Sequence, residues 1–222
     1  MAHLVKIKSI SHLTHDVLKV VTEKPEGLEY LPGQAVDITI NKPGWEQEYR
    51  TFTFTSLPEE NELEFNIKTY PSHQGVTNQF LSLSAGDELN LFDVYGDIQY
   101  KGTGLFIAGG AGITPFLAIL KSIEKQGKLE HNKLIFANKR KEDIIRPELL
   151  EQLLGNNFIN ILSEESLEGY AHGFISEDFL KKYADAHTQF YYLCGPPPMM
   201  DAVQKHLANM GISAEKIVKE AF

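Results

Sequence analysis

The chain has 222 residues, 42% of them hydrophobic and 23% charged, with a net charge of −9 at pH 7. These values are typical of a globular protein with one large or two smaller domains, and the negative charge argues against nucleic acid as the main partner. The single Cys194 excludes an internal disulfide and a cysteine-ligated iron–sulfur cluster, and the eight scattered histidines form no H-E-x-x-H pattern, so we expect no metal site. No apolar run is long enough to span a membrane and the first residues are not those of a signal peptide, which predicts a cytoplasmic protein.

The first half of the chain, from His3 to about Tyr100, consists of short segments of alternating hydrophobicity between turns that contain Gly, Pro or Asn. Alternation places side chains of one kind on one face of a strand, so these segments predict strands at 17–22, 35–40, 62–68 and 88–94. Short antiparallel strands at this spacing indicate a closed β-barrel or a β-sandwich.

The segment 50–56, Arg-Thr-Phe-Thr-Phe-Thr-Ser, is a further predicted strand with unusual side chains. Its alternation places Arg50 and the two phenylalanines on one face and the threonines on the other. A cation, an aromatic plane and hydroxyl groups are what a flavin nucleotide needs for its pyrophosphate, its ring and its reactive ring nitrogen. An ordinary barrel strand with an exposed Arg is the alternative interpretation.

A short helix is predicted at 74–83, with Thr77 or Asn78 as its N-cap. The preceding Gly75 leaves backbone N–H groups at the helix start free to bind an anion. A connector helix without a ligand is the commoner meaning of such a segment, but a nearby Arg50 would complete a pyrophosphate site.

After residue 101 the pattern changes to short apolar strands that alternate with amphipathic helices, which predicts a doubly wound α/β domain with a parallel sheet. Strands are predicted at 105–108, 133–137, 158–162, 189–193 and 217–222. Helices are predicted between them, the first capped by Thr114 and stopped by Gly127, the second at 147–154, and the third capped by Ser176. The predicted domains are therefore residues 1–101 and residues 102–222.

Two turns follow strand ends at one edge of this sheet, Gly109–Pro115 after the first strand and Cys194–Met200 after the fourth. Ligands of open parallel sheets bind in the crevice outside the carboxyl ends of the strands. These turns would suit a dinucleotide, with backbone N–H groups for its phosphates and Cys194 near its reactive ring.

The glycine turn lacks the third Gly of the standard dinucleotide fingerprint, and no acidic residue ends the second strand to hold a ribose 2′-OH. The basic residues Lys139, Arg140 and Lys141 stand there instead. This trio would clamp a 2′-phosphate and so favour NADP, or it is a solvated basic turn.

Taken together, these motifs resemble the ferredoxin–NADP reductase superfamily, which includes flavodoxin reductases and cytochrome b5 reductase-like flavoproteins. The resemblance covers nearly the whole chain: R-x-[Y/F]-[S/T]-x-x-S matches 50–56, P-G-Q matches 32–34, G-x-G-I-x-P matches 110–115 and C-G-P-P matches 194–197. The ending Glu220-Ala221-Phe222 looks like the terminal Glu-x-aromatic of several members. Asn78 stands where the family has Ser or Thr, and Phe replaces the commoner Tyr at 52 and 222, so we expect the phosphate site and the stacking to survive without the tyrosine hydroxyls.

The resemblance implies that an antiparallel β-barrel domain binds FAD and that the following α/β domain binds NADPH or NADH. Arg50 would bind the FAD pyrophosphate, Phe52 would lie against the flavin ring, and Thr53 would hydrogen-bond near flavin N5. Cys194 would lie by the nicotinamide C4, Phe222 would cover the other flavin face, and Glu220 would join Thr53 in a proton path. The other implied contacts are Thr51, Ile67, Lys68, Gly75, Val76, Thr77 and Asn78 for FAD, and Gly110, Ala111, Gly112, Ile113, Thr114, Lys139, Arg140, Gly195, Pro196 and Met199 for NAD(P).

The implied activity is transfer of a hydride from NAD(P)H to FAD, followed by electron transfer to a separate carrier such as ferredoxin or flavodoxin. Two alternatives stay open: an NAD(P)H reductase of free flavin or ferric chelates, and a non-catalytic flavin-binding subunit that relays electrons within a complex. The net charge of −9 does not favour long-range attraction to an acidic carrier unless a local basic patch exists.

Overall fold

The structure, a computed structural model, describes residues 2–70 and 72–220. It contains two six-stranded sheets, one antiparallel and one parallel, which confirms the predicted two-domain fold class. Among the residues described, no helix is both long and apolar enough to cross a membrane.

The antiparallel sheet closes into a barrel. Its strands are β1 (His3–His12), β2 (Val17–Glu23), β3 (Ala35–Ile40), β4 (Arg50–Thr53), β5 (Glu62–Lys68) and β6 (Glu88–Tyr95), in the order β4-β3-β6-β1-β2-β5. An isolated bridge between Phe54 and Phe65 joins the two edge strands, β4 and β5. The closed barrel, rather than the sandwich, is therefore the correct alternative.

The segment 50–56 is a strand over only its first four residues. Arg50–Thr53 pairs with β3, and the chain then changes partner, because Phe54 bridges to β5 and the amide of Thr55 donates to the carbonyl oxygen of Glu64 at 2.8 Å. Ser56 is fully buried and its hydroxyl meets the hydroxyl of Tyr30 at 2.9 Å. The prediction of one continuous strand was wrong, because barrel closure requires this segment to leave one edge strand for the other.

A short helix, α1 (Val76–Gln79), and a following 3₁₀ turn at 80–82 lie where the helix was predicted. The predicted caps, Thr77 and Asn78, are wrong: Gly75 is the N-cap and no side chain caps the helix. The buried Val76 and Phe80 fix the helix against the barrel core, so the register follows these two apolar residues.

The parallel sheet has strands β7 (Gly104–Gly109), β8 (Lys133–Asn138), β9 (Phe158–Leu162), β10 (Ala171–His172), β11 (Phe190–Cys194) and β12 (Ile217–Val218), in the order β10-β9-β8-β7-β11-β12. Its helices are α2 (Thr114–Lys125), α3 (Pro147–Leu154), α4 (Glu177–Tyr183) and α5 (Pro197–Asn209). Helices α2 and α3 pack on one face of the sheet and α4 and α5 on the other. This is the doubly wound arrangement that the alternating pattern predicts.

Several local predictions differ from the structure. Thr114 does not cap α2, because Ile113 is the N-cap and the Thr114 hydroxyl donates to the carbonyl oxygen of Ala111 at 3.0 Å. The last strand ends at Val218 rather than running to residue 222, and β10 was not predicted. Ser176 does cap α4, since its hydroxyl accepts from the amide of Phe179 at 3.2 Å.

The barrel and the α/β domain meet through ion pairs. Arg146 Nη2 lies 2.7 Å from Glu64 Oε1, and Lys125 Nζ lies 3.0 Å from Glu59 Oε1. Burial alone would raise the pKa of Glu64, but the charge of Arg146 and a hydrogen bond from Thr55 hold this pKa below its ordinary value. Strand β5 also lies against the turn 110–113, so the barrel faces the glycine turn directly.

Candidate functional site

The exposed edge of β4 presents Arg50, Phe52 and Thr53. Arg50 is exposed, donates from Nη1 to the carbonyl oxygen of Tyr49 at 2.6 Å and forms no ion pair with a described carboxylate. Phe52 is half-buried and stands edge-on to Phe80, with ring centroids 5.5 Å apart at 79°. Thr53 is also half-buried, and its hydroxyl has no hydrogen-bond partner within residues 2–70 and 72–220. The strand therefore offers a cation, an aromatic surface and a hydroxyl, none committed to a carboxylate or to another side-chain hydrogen bond.

Thr51 is committed to a network that the sequence prediction missed. Its hydroxyl donates to Asp37 Oδ1 at 2.6 Å, and the hydroxyl of Tyr95 donates to the same oxygen at 2.7 Å. Burial raises the pKa of Tyr95, and the adjacent Asp37 carboxylate adds to the effect. Strand pairing explains the cluster, because β3 lies between β4 and β6 and its side chain at 37 meets one neighbour on each side. The hydroxyl of Thr51 is therefore already engaged within the barrel, and a ligand contact by Thr51 stays a prediction.

The side chains of the two contacts predicted on β5 already have neighbours in the structure. The side chain of Ile67 is 1% exposed and points into the barrel core. Lys68 Nζ lies 2.5 Å from Asp16 Oδ2, an ion pair that helps to hold the pKa of Asp16 below its ordinary value against the effect of burial. A role for either side chain in direct cofactor contact would require this pairing or packing to change.

The start of α1 has the character of an anion site. The amides of Gly75, Val76 and Thr77 have no acceptor among the described residues, whereas the amide of Asn78 donates to the carbonyl oxygen of Gly75 at 3.0 Å. Three of the four predicted amide donors are thus available. A Cβ placed on Gly75 would meet no atom of the described residues within 4 Å, so there is open space beside the start of the helix. Open space and unpaired N–H groups fit a phosphate group.

The glycine turn and the Cys194 turn interlock at the carboxyl edge of the parallel sheet. A Cβ on Gly112 would lie 2.3 Å from the carbonyl oxygen of Cys194, and one on Gly109 would lie 2.6 Å from Sδ of Met199. At Gly112 the contact is with main-chain atoms and disfavours any larger residue, whereas at Gly109 a larger residue would require the side chain of Met199 to move. Gly110, at φ 51°, instead has no described atom within 4 Å of an added Cβ, so this position of the turn is not packed against the neighbouring turn.

The remaining residues predicted at these turns differ in exposure, and Pro196 is exposed. Ile113 is fully buried, Thr114 is 9% exposed, and Pro196 is the N-cap residue of α5. Met199 is half-buried and closes the space beside Gly195. Any nucleotide contact in this region would therefore come mainly from the main chain of residues 110–112 and 195.

Cys194 lies at the end of β11 and is mostly buried. Burial, with a smaller contribution from the charge of Glu220, raises the pKa of its thiol to about 12. The group is therefore a neutral S–H at physiological pH and cannot act as a thiolate nucleophile. A small, neutral and polarisable side chain suits a position beside a flat ring.

Glu220 connects this turn to the barrel. Its Oε2 accepts from the amide of Asp97 at 3.2 Å, and its Oε1 would lie 3.4 Å from a Cβ on Gly96. The Cβ position on Gly96 also lies 3.6 Å from the amide nitrogen of Ala35, and Ala35 pairs with Thr53 across strands β3 and β4. Glu220 is thus hydrogen-bonded next to the strand that pairs with Thr53, and its charge acts on the thiol of Cys194. Phe222, which was predicted to cover the flavin, lies outside the described residues.

Two family models match this chain. The model described as an FAD-binding domain matches residues 2–132, more than half of the chain, and the model described as an oxidoreductase NAD-binding domain matches residues 106–205. NADH-cytochrome b5 reductase 1 of Aspergillus oryzae is 30% identical over 96% of this chain and 80% of its own length. The chain belongs to the ferredoxin reductase-like superfamily.

This member of the superfamily is also 30% identical, over 88% of its length, to the toluate 1,2-dioxygenase electron transfer component of Pseudomonas putida, but it spans only 59% of that relative. Its fold matches the crystal structure of a ferredoxin NADP⁺ reductase from Neisseria gonorrhoeae with bound FAD and NADP, with a TM-score of 0.86 at 19% identity over 99% of this chain and 98% of the other.

The superfamily assignment confirms FAD and a pyridine nucleotide as the predicted cofactors of the ferredoxin reductase-like chain. The two family models overlap at residues 106–132, so a boundary between residues 101 and 102 stays a prediction. The individual site residues of this superfamily member are likewise predictions, which the geometry above narrows.

Proposed function

We propose that this chain transfers a hydride from NADH or NADPH to bound FAD and then passes electrons to a separate acceptor. The observation that carries the proposal is the position of Glu220, which accepts a hydrogen bond from Asp97 beside the β3 partner of Thr53 and whose charge acts on the thiol of Cys194. Flavin bound there supplies hydride acceptance and one-electron donation. The protein contributes binding, orientation and exclusion of water.

On the barrel side, the proposal assigns Arg50 and the amides of residues 75–77 to the FAD pyrophosphate, because among the described residues Arg50 pairs with no carboxylate and these amides have no acceptor. Phe52 provides an aromatic surface for the ring, and the free hydroxyl of Thr53 donates to or accepts from the ring edge. The barrel core holds these residues in place, since their strand neighbours on β3 are buried.

On the parallel-sheet side, the proposal assigns the pyridine nucleotide phosphates to the main chain of the glycine turn and the nicotinamide to the space beside Cys194. The interlocked glycines hold the two turns at a fixed separation, which suits a reaction that depends on two rings meeting at a set distance. The neutral thiol of Cys194 packs against the nicotinamide ring without placing a charge beside it. Glu220 holds or releases a proton near Thr53.

The acceptor proposed is a separate electron-carrier protein such as a ferredoxin or flavodoxin. Support comes from the relatives named above, one of which is an electron transfer component of a dioxygenase. A small acceptor such as free flavin or a ferric chelate is the competing possibility, and the two differ in their salt dependence because protein docking uses surface charge.

The test begins with anaerobic addition of NADH or NADPH to the FAD-loaded protein while the visible spectrum is recorded. We expect bleaching of the flavin absorbance by at least one of the two nucleotides. Cys194→Ala should slow the bleaching while FAD binding is retained, and Ser72→Ala, at an exposed position, is the control. Absence of bleaching by both nucleotides would exclude the reductase function and favour the electron-relay subunit.

The acceptor is tested by steady-state reduction of a ferredoxin, a flavodoxin and ferric citrate at low and high salt. If the acceptor is a protein, its apparent affinity in the steady-state assay should fall as the salt concentration rises. Turnover with ferric citrate alone, independent of salt, would replace the carrier protein by a small acceptor and leave the first half of the reaction intact.

A further inference from the structure

The basic trio at residues 139–141 lies beside two acidic residues from the neighbouring strand. Asn138 ends β8 and Lys139 follows it, whereas residues 163 and 164 follow the end of β9. The amides of Ser163 and Glu164 donate to the carbonyl oxygens of Asn138 and Lys139 at 3.0 and 2.9 Å. These main-chain bonds extend the pairing of the two strands. The position of Glu164 relative to Lys139 is thus set by the sheet.

Each basic side chain of the trio already has a partner. Lys139 Nζ lies 3.1 Å from Glu164 Oε1, and Arg140 Nε lies 3.8 Å from Glu164 Oε2. Lys141 Nζ lies over the ring of Tyr170 at 5.6 Å, and its amide donates to Glu165 Oε2 at 2.8 Å. Four carboxylates, those of residues 142, 143, 164 and 165, lie close to the three cations in these two segments. The formal charge of the cluster is therefore −1 rather than +3.

This cluster is within reach of a nucleotide bound at the glycine turn. Gly109, Ala137 and Ile161 stand side by side on β7, β8 and β9, so the turns that follow them are neighbours. Adjacent strands are about 4.8 Å apart, which places the segment after β9 roughly 10 Å from the glycine turn. The ribose next to the pyrophosphate of a dinucleotide reaches over this distance.

We propose that Glu164 makes this chain discriminate in favour of NADH over NADPH. The inference rests on the proposed function and corrects the expectation that the trio acts as a 2′-phosphate clamp. A 2′-phosphate adds nearly two negative charges at neutral pH, and Glu164 both repels it and occupies the two cations that would bind it. A ribose 2′-OH adds no charge and can donate a hydrogen bond to the same carboxylate.

The test compares two probes that differ only in the 2′-phosphate, adenosine 5′-monophosphate and adenosine 2′,5′-bisphosphate. Their dissociation constants are measured by isothermal titration calorimetry on the full FAD-loaded chain, for the native protein, Glu164→Gln and Glu168→Gln. Glu168 lies in the same loop, is exposed and forms no ion pair within the described part of the chain, so its variant controls for net charge. The same three proteins are assayed for flavin bleaching by NADH and NADPH.

We expect the native protein to bind the monophosphate more tightly, and Glu164→Gln to shift the ratio of the two constants by about tenfold toward the bisphosphate, with no shift in Glu168→Gln. Raising the salt concentration should narrow the native preference, because the exposed charges are screened. A native preference for the bisphosphate, or an unchanged ratio in Glu164→Gln, would overturn the proposal. Failure of the bleaching assay alone would count against the proposed function, since probe binding does not depend on hydride transfer.

Discussion

Gly75 in the barrel and Gly112 in the α/β domain are both glycines at predicted phosphate sites, yet a methyl group would meet opposite surroundings at the two positions. At Gly75 it would meet no described atom within 4 Å, whereas at Gly112 it would lie 2.3 Å from the carbonyl oxygen of Cys194. In the barrel, the predicted binding groups lie on the surface, and the core is packed without them. The α/β domain builds its binding surface by packing two main-chain turns against each other.

Because of this difference, we expect effects on folding stability and on ligand binding to be separable in the barrel but not in the α/β domain. Residues of the barrel site such as Arg50 and Gly75 can be changed at small cost to folding, because little packs against them. Residues of the interlocked turns serve packing and binding together, so their substitution affects both. The following expected outcomes, from the largest to the smallest, test this separation.

The largest effect expected is in the chemical reactivity of Cys194. A rise in pKa from 9.0 to about 12 lowers the thiolate fraction at pH 8 by about a thousandfold, and iodoacetamide reacts with the thiolate. The native protein should therefore be alkylated at least that much more slowly than free cysteine, as followed by mass spectrometry. Alkylation in urea is the control and should proceed at the ordinary rate. A native rate close to that of free cysteine would show that the turn is open rather than packed.

Paired glycine substitutions compare the two domains directly. Gly112→Ala should lower the free energy of unfolding by about 3 kcal/mol, because the added methyl group collides with main-chain atoms that cannot rotate away. Gly75→Ala should cost about 1 kcal/mol or less, since φ −107° and ψ 179° are accessible to alanine. The measurement is urea unfolding of both variants.

The same pair also separates binding from folding. Gly75→Ala should weaken FAD binding in a fluorescence titration, because the methyl group narrows the approach to the free amides. Equal stability losses in the two variants would contradict the contrast between an open and an interlocked site.

The contact between the domains provides the next test, through two ion pairs that differ in burial. The side chains of Arg146 and Glu64 are 23% and 19% exposed, whereas those of Lys125 and Glu59 are 54% and 59% exposed. Arg146→Met should cost about 2 kcal/mol at pH 7, because it leaves the Glu64 carboxylate poorly solvated, and Lys125→Met should cost about 0.5 kcal/mol or less.

The pH dependence of the Arg146 variant has a defined sign. The folded-state pKa of Glu64 lies below its ordinary value of 4.5, so its stabilising contribution is present above that value and is lost as pH falls through the folded-state pKa. The difference in unfolding free energy between the native protein and Arg146→Met should therefore shrink between pH 5 and pH 3. A difference that stays constant over that range would mean that Glu64 is not the partner affected.

Local patterns were sufficient to predict much of the fold. The bounds of β3, β5, α3 and β9 agree with the predicted ones, because alternation or helical periodicity marks them and Gly, Pro or Asn stands near their ends. The two-residue β10 was missed because it has no period of its own and exists only through pairing with β9. The partner change at Phe54 was missed for a similar reason, since only barrel closure requires it.

The candidate site shows the same limit. The motifs predicted which segments contribute, but not which of their groups are already occupied, as at Thr51 and Lys68. Whether such a group already has a partner within the protein depends on residues far away in the sequence, such as Asp37 and Asp16. Glu164 could have been found, because residues that follow neighbouring parallel strands lie side by side, and an acidic pair directly after β9 indicates a partner for the basic trio after β8.

The smallest expected effect is on FAD affinity, through Arg50. Its guanidinium donates to the carbonyl oxygen of its neighbour and pairs with no described carboxylate, so Arg50→Ala should leave the unfolding free energy of the apoprotein unchanged while FAD binds roughly tenfold more weakly. Arg50→Lys keeps the charge but loses the bidentate geometry of the guanidinium, so its affinity for FAD should lie between those of the native protein and Arg50→Ala. Lys8→Ala removes an exposed cation on β1 that pairs with Glu62, and it should change neither quantity. If Arg50→Ala instead destabilised the apoprotein and bound FAD normally, Arg50 would belong to the barrel structure, and the separation of binding from folding would fail at the residue where it is expected to be clearest.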